Sequence, residues 1–158
     1  MNVVVSNVKG GVGKTTTSVY LSAAAVARGY DPVLLIDADR QASSAEWLEE
    51  RPVEGVTIVE APSERTLTRA MSRHDGLGIV DTPPGDERLL QSATTAADAV
   101  VIPTRATRGW HAECQREDVL PSASERMSFR AQRGTFVASL VGSRSLWQWI
   151  TRSGFQRD

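Results

Sequence analysis

The chain has 158 residues, 41% of them hydrophobic and 23% charged, with a formal net charge of −1. That is about one domain of chain with enough apolar side chains for a core, and the charge gives no case for a strongly basic nucleic-acid binder. A single cysteine, Cys114, excludes an intrachain disulfide or a cysteine-rich metal site, while the lack of a signal peptide or of an apolar run near the roughly 20 residues of a bilayer span makes the cytoplasm, with no membrane partner, the expected compartment.

Asn2-Val3-Val4-Val5-Ser6 is a short β-branched run that reads as a buried strand. The stretch Asn7–Thr17 is rich in glycine, and Ser18–Arg28 is rich in alanine and reads as a helix. Strand, glycine-rich turn and helix form the context of a phosphate-binding loop. Gly10, Gly11 and Gly13 have no Cβ, so the backbone can curl and direct successive N–H groups at one anion. The helix that begins near Lys14 adds unpaired N–H groups and the positive end of its dipole. Lys14 has the reach to meet terminal phosphates as a point charge, and Thr15 offers a hydroxyl to the Mg²⁺ that travels with a nucleoside triphosphate. Against the motif G-x-x-x-x-G-K-[ST] the first glycine falls at Val8. The residues match instead a variant loop, Lys9-Gly10-Gly11-Val12-Gly13-Lys14-Thr15.

Gly29 suits a left-handed stop for the first helix. Pro32–Asp37 is an apolar run ending in an acid, without alternation, as in a parallel strand buried on both faces. A helix is expected from Ser43 or Ser44 through Glu50, ended by Arg51-Pro52. Val56–Glu60 is the third strand. Ser63, with Thr66 or Glu64 nearby, starts a helix through Ser72 whose apolar face is Leu67, Ala70 and Met71. Leu77–Asp81 is a fourth apolar run ending in an acid, followed by the stiff turn Thr82–Asp86, a helix over Glu87–Ala97 and a fifth strand over Asp98–Thr104. Five strands alternating with four helices predict an α/β fold, a mostly parallel sheet with right-handed crossovers and helices on both faces. In such sheets ligands bind outside the carboxyl ends of the strands, where Asp37, Asp39 and Asp81 fall. Asp81 closes Ile79-Val80-Asp81, the pattern of an acid that holds the hydration shell of Mg²⁺; a lone strand-end aspartate is otherwise a turn former. His74 and His111 have no Cys or His at ligand spacing and read as surface residues.

The variant loop, together with Asp37-Ala38-Asp39, resembles the ParA/MinD family of P-loop ATPases over residues 1–104. Arg40-Gln41 stands where that family commonly has Pro-Gln. The resemblance implies a P-loop NTPase with ATP and Mg²⁺ as cofactors, and Lys9, Gly10, Gly11, Val12, Gly13, Lys14, Thr15 and Thr16 around the phosphates. It adds Asp37, in the metal's outer shell, to Thr15 and Asp81. It implies catalytic parts for Lys9, Lys14 and Asp39, with Asp39 orienting the attacking water. Lys9 is expected to reach across an ATP-dependent homodimer to the partner's nucleotide, a placement worth ~10³–10⁵ in rate for an inserted cation in related NTPases. The family's role implies plasmid or chromosome partition or cargo positioning, with non-specific DNA and an ATPase-stimulating partition protein as partners. ATP is further favoured because no lysine follows Lys14, which rules out the Asn/Thr-Lys-x-Asp motif of the usual GTPases. Iron–sulfur reductases with a similar loop need more cysteine than Cys114.

From Arg105 the orderly alternation fails. Residues 1–104 carry nine basic and fourteen acidic side chains; residues 105–158 carry nine arginines and five acids. The arginine excess reads as a solvated tail before it reads as a nucleic-acid surface. The chain therefore divides into a P-loop ATPase domain, 1–104, and an atypical arginine-rich segment, 105–158, read as a truncated or frame-shifted end that leaves the domain incomplete. Residues 105–135, with few apolar runs, are expected to be mobile or loosely packed. Phe136–Val141 reads as a sixth strand, and 146–150 fits a short helix and a strand about equally. The segment Phe136–Phe155 is expected to dock on the sheet edge or an exposed helix face. Two further readings stay open: a non-catalytic remnant that keeps a phosphate loop without an adenine, dimer or DNA site, and a P-loop enzyme of small-metabolite chemistry, for which no substrate signature is found.

Overall fold

The computed structural model describes residues 1–104 and, beyond them, the strand segments 126–130 and 137–142. The elements are β1 (Asn2–Val5), α1 (Lys14–Ala27), β2 (Val33–Asp37), α2 (Ser43–Glu50), β3 (Val56–Glu60), α3 (Glu64–Arg73), β4 (Leu77–Asp81), α4 (Glu87–Thr95), β5 (Ala99–Thr104), β6 (Arg126–Arg130) and β7 (Val137–Gly142). The sheet order is β3-β2-β4-β1-β5-β7-β6. The first five strands pair in parallel. β7 runs antiparallel to β5, and β6 antiparallel to β7.

Strand parity sorts the core into two layers, because successive side chains leave a strand on opposite faces. Val3, Val5, Leu35 and Ile79 pack with Val19 and Ala25 of α1 and Leu48 of α2. Val4, Ile36 and Val80 pack with Leu67 and Met71 of α3 and Leu89 and Ala93 of α4. Both faces are covered, which is why the strands read as continuous apolar runs. Val4, Val5, Leu35, Ile36, Ile79 and Val80 are fully buried.

The helix boundaries follow local signals. Ser63 and Thr66 form a reciprocal cap at the start of α3, the Thr66 N–H donating to Ser63 Oγ and the Ser63 N–H to Thr66 Oγ1. At α4 the Leu89 N–H donates to Asp86 Oδ1 at 3.0 Å. Gly29, at φ 83°, ends α1 as expected, its N–H donating to the Val26 carbonyl.

Two expectations change. β6 lies within 105–135, the stretch expected to be loose. Its five residues, Arg126-Met127-Ser128-Phe129-Arg130, alternate polar and apolar, a short strand pattern masked by the arginines around it. Its backbone pairs with β7 and not with a sequence neighbour, a non-local partnership that local patterning does not reveal. The expected sixth strand is β7, one residue later than read, and it covers the edge of β5. The expectations for the rest of 105–135, for 146–150 and for His111 lie outside the described residues.

His74 is the second change. It is half-buried, and its Nε2 is 2.7 Å from Asn2 Oδ1. The sequence holds no local signal for this bond, because the two residues are 72 apart. Among the described residues no helix is long and apolar enough to cross a membrane.

Candidate functional site

The loop between β1 and α1 leaves the middle of the parallel sheet, with β4 on one side and β5 on the other. Gly11 and Gly13 adopt left-handed angles, φ 67° and 91°, which turn the chain into α1 without a Cβ penalty. Asn7 pins the loop's entrance. Its Nδ2 donates to the Pro103 carbonyl at 2.9 Å, and its Oδ1 accepts the Lys9 N–H at 2.9 Å. Val8, where the common motif has glycine, is exposed and not at positive φ. Val12 is buried beneath the turn.

The N-terminus of α1 has no side-chain cap and no acid in its first turn. Its first N–H groups, at Lys14, Thr15 and Thr16, have no partner within the helix, and the helix dipole is positive there. This end suits an anion. Lys14 is 7% exposed and donates from Nζ to the Lys9 carbonyl at 3.1 Å, which bends its ammonium back over the loop. Burial pushes its pKa down, against the pull of the Asp81 and Asp39 charges. Lys9 is exposed on the outer turn of the loop.

Strand parity brings the acids together. Asp37 follows Val33 and Leu35, and Asp81 follows Leu77 and Ile79, so both point to the α1–α2 side of the sheet. They are register partners on neighbouring strands, and both are essentially buried, at 0% and 1% exposure. Two buried carboxylates side by side repel, and each is held by donors.

Asp37 takes backbone donors. Its Oδ1 accepts the Asp39 N–H at 3.0 Å, and its Oδ2 accepts the N–H groups of Ser44 and Ala45 at 2.9 and 3.0 Å. It therefore closes the start of α2, whose own N-cap residue, Ala42, sits at φ 50° and offers no side-chain cap. Asp81 takes hydroxyl donors: Ser44 Oγ at 2.5 Å, Ser18 Oγ at 3.2 Å and the Thr15 side chain. Burial pushes its pKa up, the hydrogen bonds from Ser44, Thr15 and Ser18 oppose that rise, and the Asp37 charge adds to it.

Asp39 stands on the loop from β2 to α2. It is half-buried, and its Oδ1 accepts the Gln41 N–H at 3.0 Å. With Arg40 and Gln41 it lines a groove of about 610 Å³ whose other walls include Pro62, the turn Pro83–Asp86 and the start of α4. Its charge reaches Lys14 from that side.

The structure thus brings together Lys14, Thr15, Asp81 and, through Ser44, Asp37, with Asp39 beside them. Among the described residues no three His, Cys, Asp or Glu side chains form a metal cage. A hydroxyl backed by buried acids is nonetheless a donor set that suits Mg²⁺, which keeps several waters and binds through few protein groups plus substrate phosphates. Sequence reasoning passed over Asn7, Ser18 and Ser44. Ser18 had one available signal: it lies four residues after Lys14, on the same face of α1.

The family model of the CobQ/CobB/MinD/ParA nucleotide binding domain matches residues 3–155. The Maintenance of carboxysome distribution protein A of Gloeobacter kilaueensis is 42% identical over 106 residues, covering 65% of this chain and 48% of that protein. The ParA protein of Rhizobium radiobacter is 35% identical over 107 residues, covering 65% and 48%. The chain spans about half the length of these curated relatives. Among solved structures, cobyrinic acid a,c-diamide synthase from Mycobacterium smegmatis with bound ATP analogue and magnesium is similar at 27% identity and a TM-score of 0.55. That likeness covers 76% of this chain and 70% of the synthase. With the variant glycine loop, the buried acid pair and this parallel sheet in one chain, the protein belongs to the CobQ/CobB/MinD/ParA nucleotide-binding domain family.

Proposed function

We propose that the chain is a ParA-type ATPase that binds Mg-ATP, dimerises with it, and takes part in DNA partition or in positioning another cargo. The observation that carries this reading is the cluster at the head of α1, where an uncapped helix end and a buried Lys14 face Asp81, itself bonded to Thr15. The names of the two curated relatives, one for ParA and one for carboxysome distribution, support the cargo class.

In this mechanism the backbone of Gly10–Thr16 and the Lys14 ammonium hold the phosphates, and catalysis is positioning and charge neutralisation. Mg²⁺, when bound, would supply positive charge against the charge that develops on the phosphates. Thr15 would hold it, with Asp81 and, behind it, Asp37 as outer-shell acids. Asp39 accepts a hydrogen bond from a water and aims its oxygen at the terminal phosphorus. The water oxygen bonds to that phosphorus as the bond to the bridging oxygen breaks, so that ADP leaves and the water's protons pass to the inorganic phosphate and to solvent. Lys9, exposed on the loop, reaches the partner protomer's nucleotide in the dimer. Non-specific DNA and an ATPase-stimulating protein complete the cycle.

The test is light scattering of the purified chain with and without Mg-ATP, joined to a single-turnover assay. Dimers that require nucleotide, and hydrolysis slowed by Asp39→Ala without loss of Mg-ATP binding, are the expected results. A chain that binds Mg-ATP yet stays monomeric and inactive favours the remnant reading instead.

A further inference from the structure

The acids at the ends of β2 and β4 meet one residue that contacts both. Ser44 is fully buried at the second position of α2. Its N–H donates to Asp37 Oδ2 at 2.9 Å, and its hydroxyl donates to Asp81 Oδ2 at 2.5 Å. An O–H bond of this length to a carboxylate lies at the short, strong end of the range.

The consequence is geometric. With Oδ2 held by Ser44, the Oδ1 edge of Asp81 lies toward Ser18 of α1. The Asp39 loop is tied to the same pair: the Ala38 N–H donates to the Asp81 carbonyl, and the Asp39 N–H to Asp37 Oδ1. Ser44 therefore links the acid that faces Thr15 to the loop that carries Asp39.

We infer that Ser44 is a positioning residue for metal-coupled nucleotide binding, orienting Asp81 toward the metal side and holding Asp81, Asp37 and the Asp39 loop in one arrangement. This rests on the Mg-ATP reading above. A hydroxyl that only packs α2 would, when removed, weaken nucleotide binding with and without metal alike. A hydroxyl that aims Asp81 acts only when Mg²⁺ is present, because the glycine loop and Lys14 hold the phosphates without its help.

The test is calorimetry of the full chain with a non-hydrolysable ATP analogue, first in EDTA and then across a Mg²⁺ titration. For Ser44→Ala we expect an unchanged metal-free affinity and a Mg²⁺ midpoint raised about tenfold, the lower end for disturbing a metal site's outer shell. Ser44→Thr, which keeps the hydroxyl, restores the midpoint. Should Ser44→Ala fail to fold, Ser44→Cys, with a weak thiol donor of similar shape, carries the same comparison. A wild-type Mg²⁺ midpoint in a folded Ser44→Ala protein overturns the assignment while leaving the nucleotide reading intact. Equal losses with and without metal also overturn it. Wild-type protein that binds no analogue in either condition overturns both.

Discussion

The two ends of the same parallel sheet have opposite characters. At the amino end the polar groups are closed upon one another. The Met1 ammonium donates to the Gly76 carbonyl, the Asn2 N–H to Asp98 Oδ2 and Asn2 Nδ2 to the Met71 carbonyl. Backbone bonds run from Gly78 to Met1, from Leu77 to Pro32 and from Asp98 to Asn2. The packing is equally tight: a Cβ added at Gly78 would lie 2.5 Å from His74 Nε2. At the carboxyl end, α1 starts without a side-chain cap, and Cβ atoms at Gly10 and Gly85 would meet nothing within 4 Å. Charge is concentrated there, with Lys14, Asp37 and Asp81 all buried. A dense set of hydrogen bonds, with His74 Nδ1 left out of it, marks the end that holds the fold together; buried charge beside an open helix end marks the one that holds a ligand.

The largest expected effect breaks the closed end. A Cβ at Gly76 would overlap the Pro32 carbonyl oxygen, and backbone yields less readily than a flexible side chain. Gly76→Ala should cost ~3 kcal/mol, the upper part of the usual overpacking range, read as a lower denaturation midpoint. Gly10→Ala, facing open space, should leave the midpoint unchanged. Equal stability of the two variants would erase the contrast between the ends.

Next comes Lys14→Ala. It removes a charge-assisted phosphate contact worth ~1.5–3 kcal/mol, so affinity for Mg-ATP should fall roughly ten- to a hundredfold. The desolvation that lowers the Lys14 pKa shows that burying this ammonium is unfavourable, so the ligand-free fold should lose little. Calorimetry and thermal melting of the variant check the two halves separately.

A smaller effect sharpens the account of the open end. Ala42, at φ 50° and ψ 35°, holds a left-handed conformation that costs an L-residue ~1–2 kcal/mol. Glycine relieves that cost but adds backbone entropy of roughly 0.5–1 kcal/mol. Ala42→Gly should therefore stabilise the chain by up to about 1 kcal/mol, measured by denaturant melting.

The smallest effect returns to the closed end. Asn2 Nδ2 donates to Met71, so Asn2 Oδ1 accepts from His74 Nε2 and leaves Nδ1 as the unprotonated nitrogen. That nitrogen is buried without a hydrogen-bond partner. Burial, and then the N-terminal ammonium, push the His74 pKa down, against Asp75 and Asp98. The unfolded chain thus binds the proton at higher pH than the folded one, and stability should fall as pH drops below about 6.5. His74→Gln, which keeps a donor for Asn2 Oδ1, should flatten that slope in melts taken across this range.

The five strands and four helices of residues 1–104 were legible in the sequence because their signals are local. Apolar runs of strand length, Ser63 and Asp86 before their helices and Gly29 after α1 each act within a few residues. Gly10–Thr15 and the strand-end acids were legible for the same reason. β6 was not, since arginines flank a five-residue alternation and its partner is β7. What only the tertiary structure decided is how the acids are used. Asp37 and Asp81 become neighbours because β2 and β4 pair in register, although 44 residues separate them in the chain. Ser18 reaches Asp81 across 63 residues, and Ser44 reaches it across 37. Each hydroxyl meets the carboxylate only because strand parity turns both acids to the face that α1 and α2 cover. Parity and register depend on which strands lie side by side, and that order follows from burying both faces of the sheet at once, which no local stretch of sequence specifies.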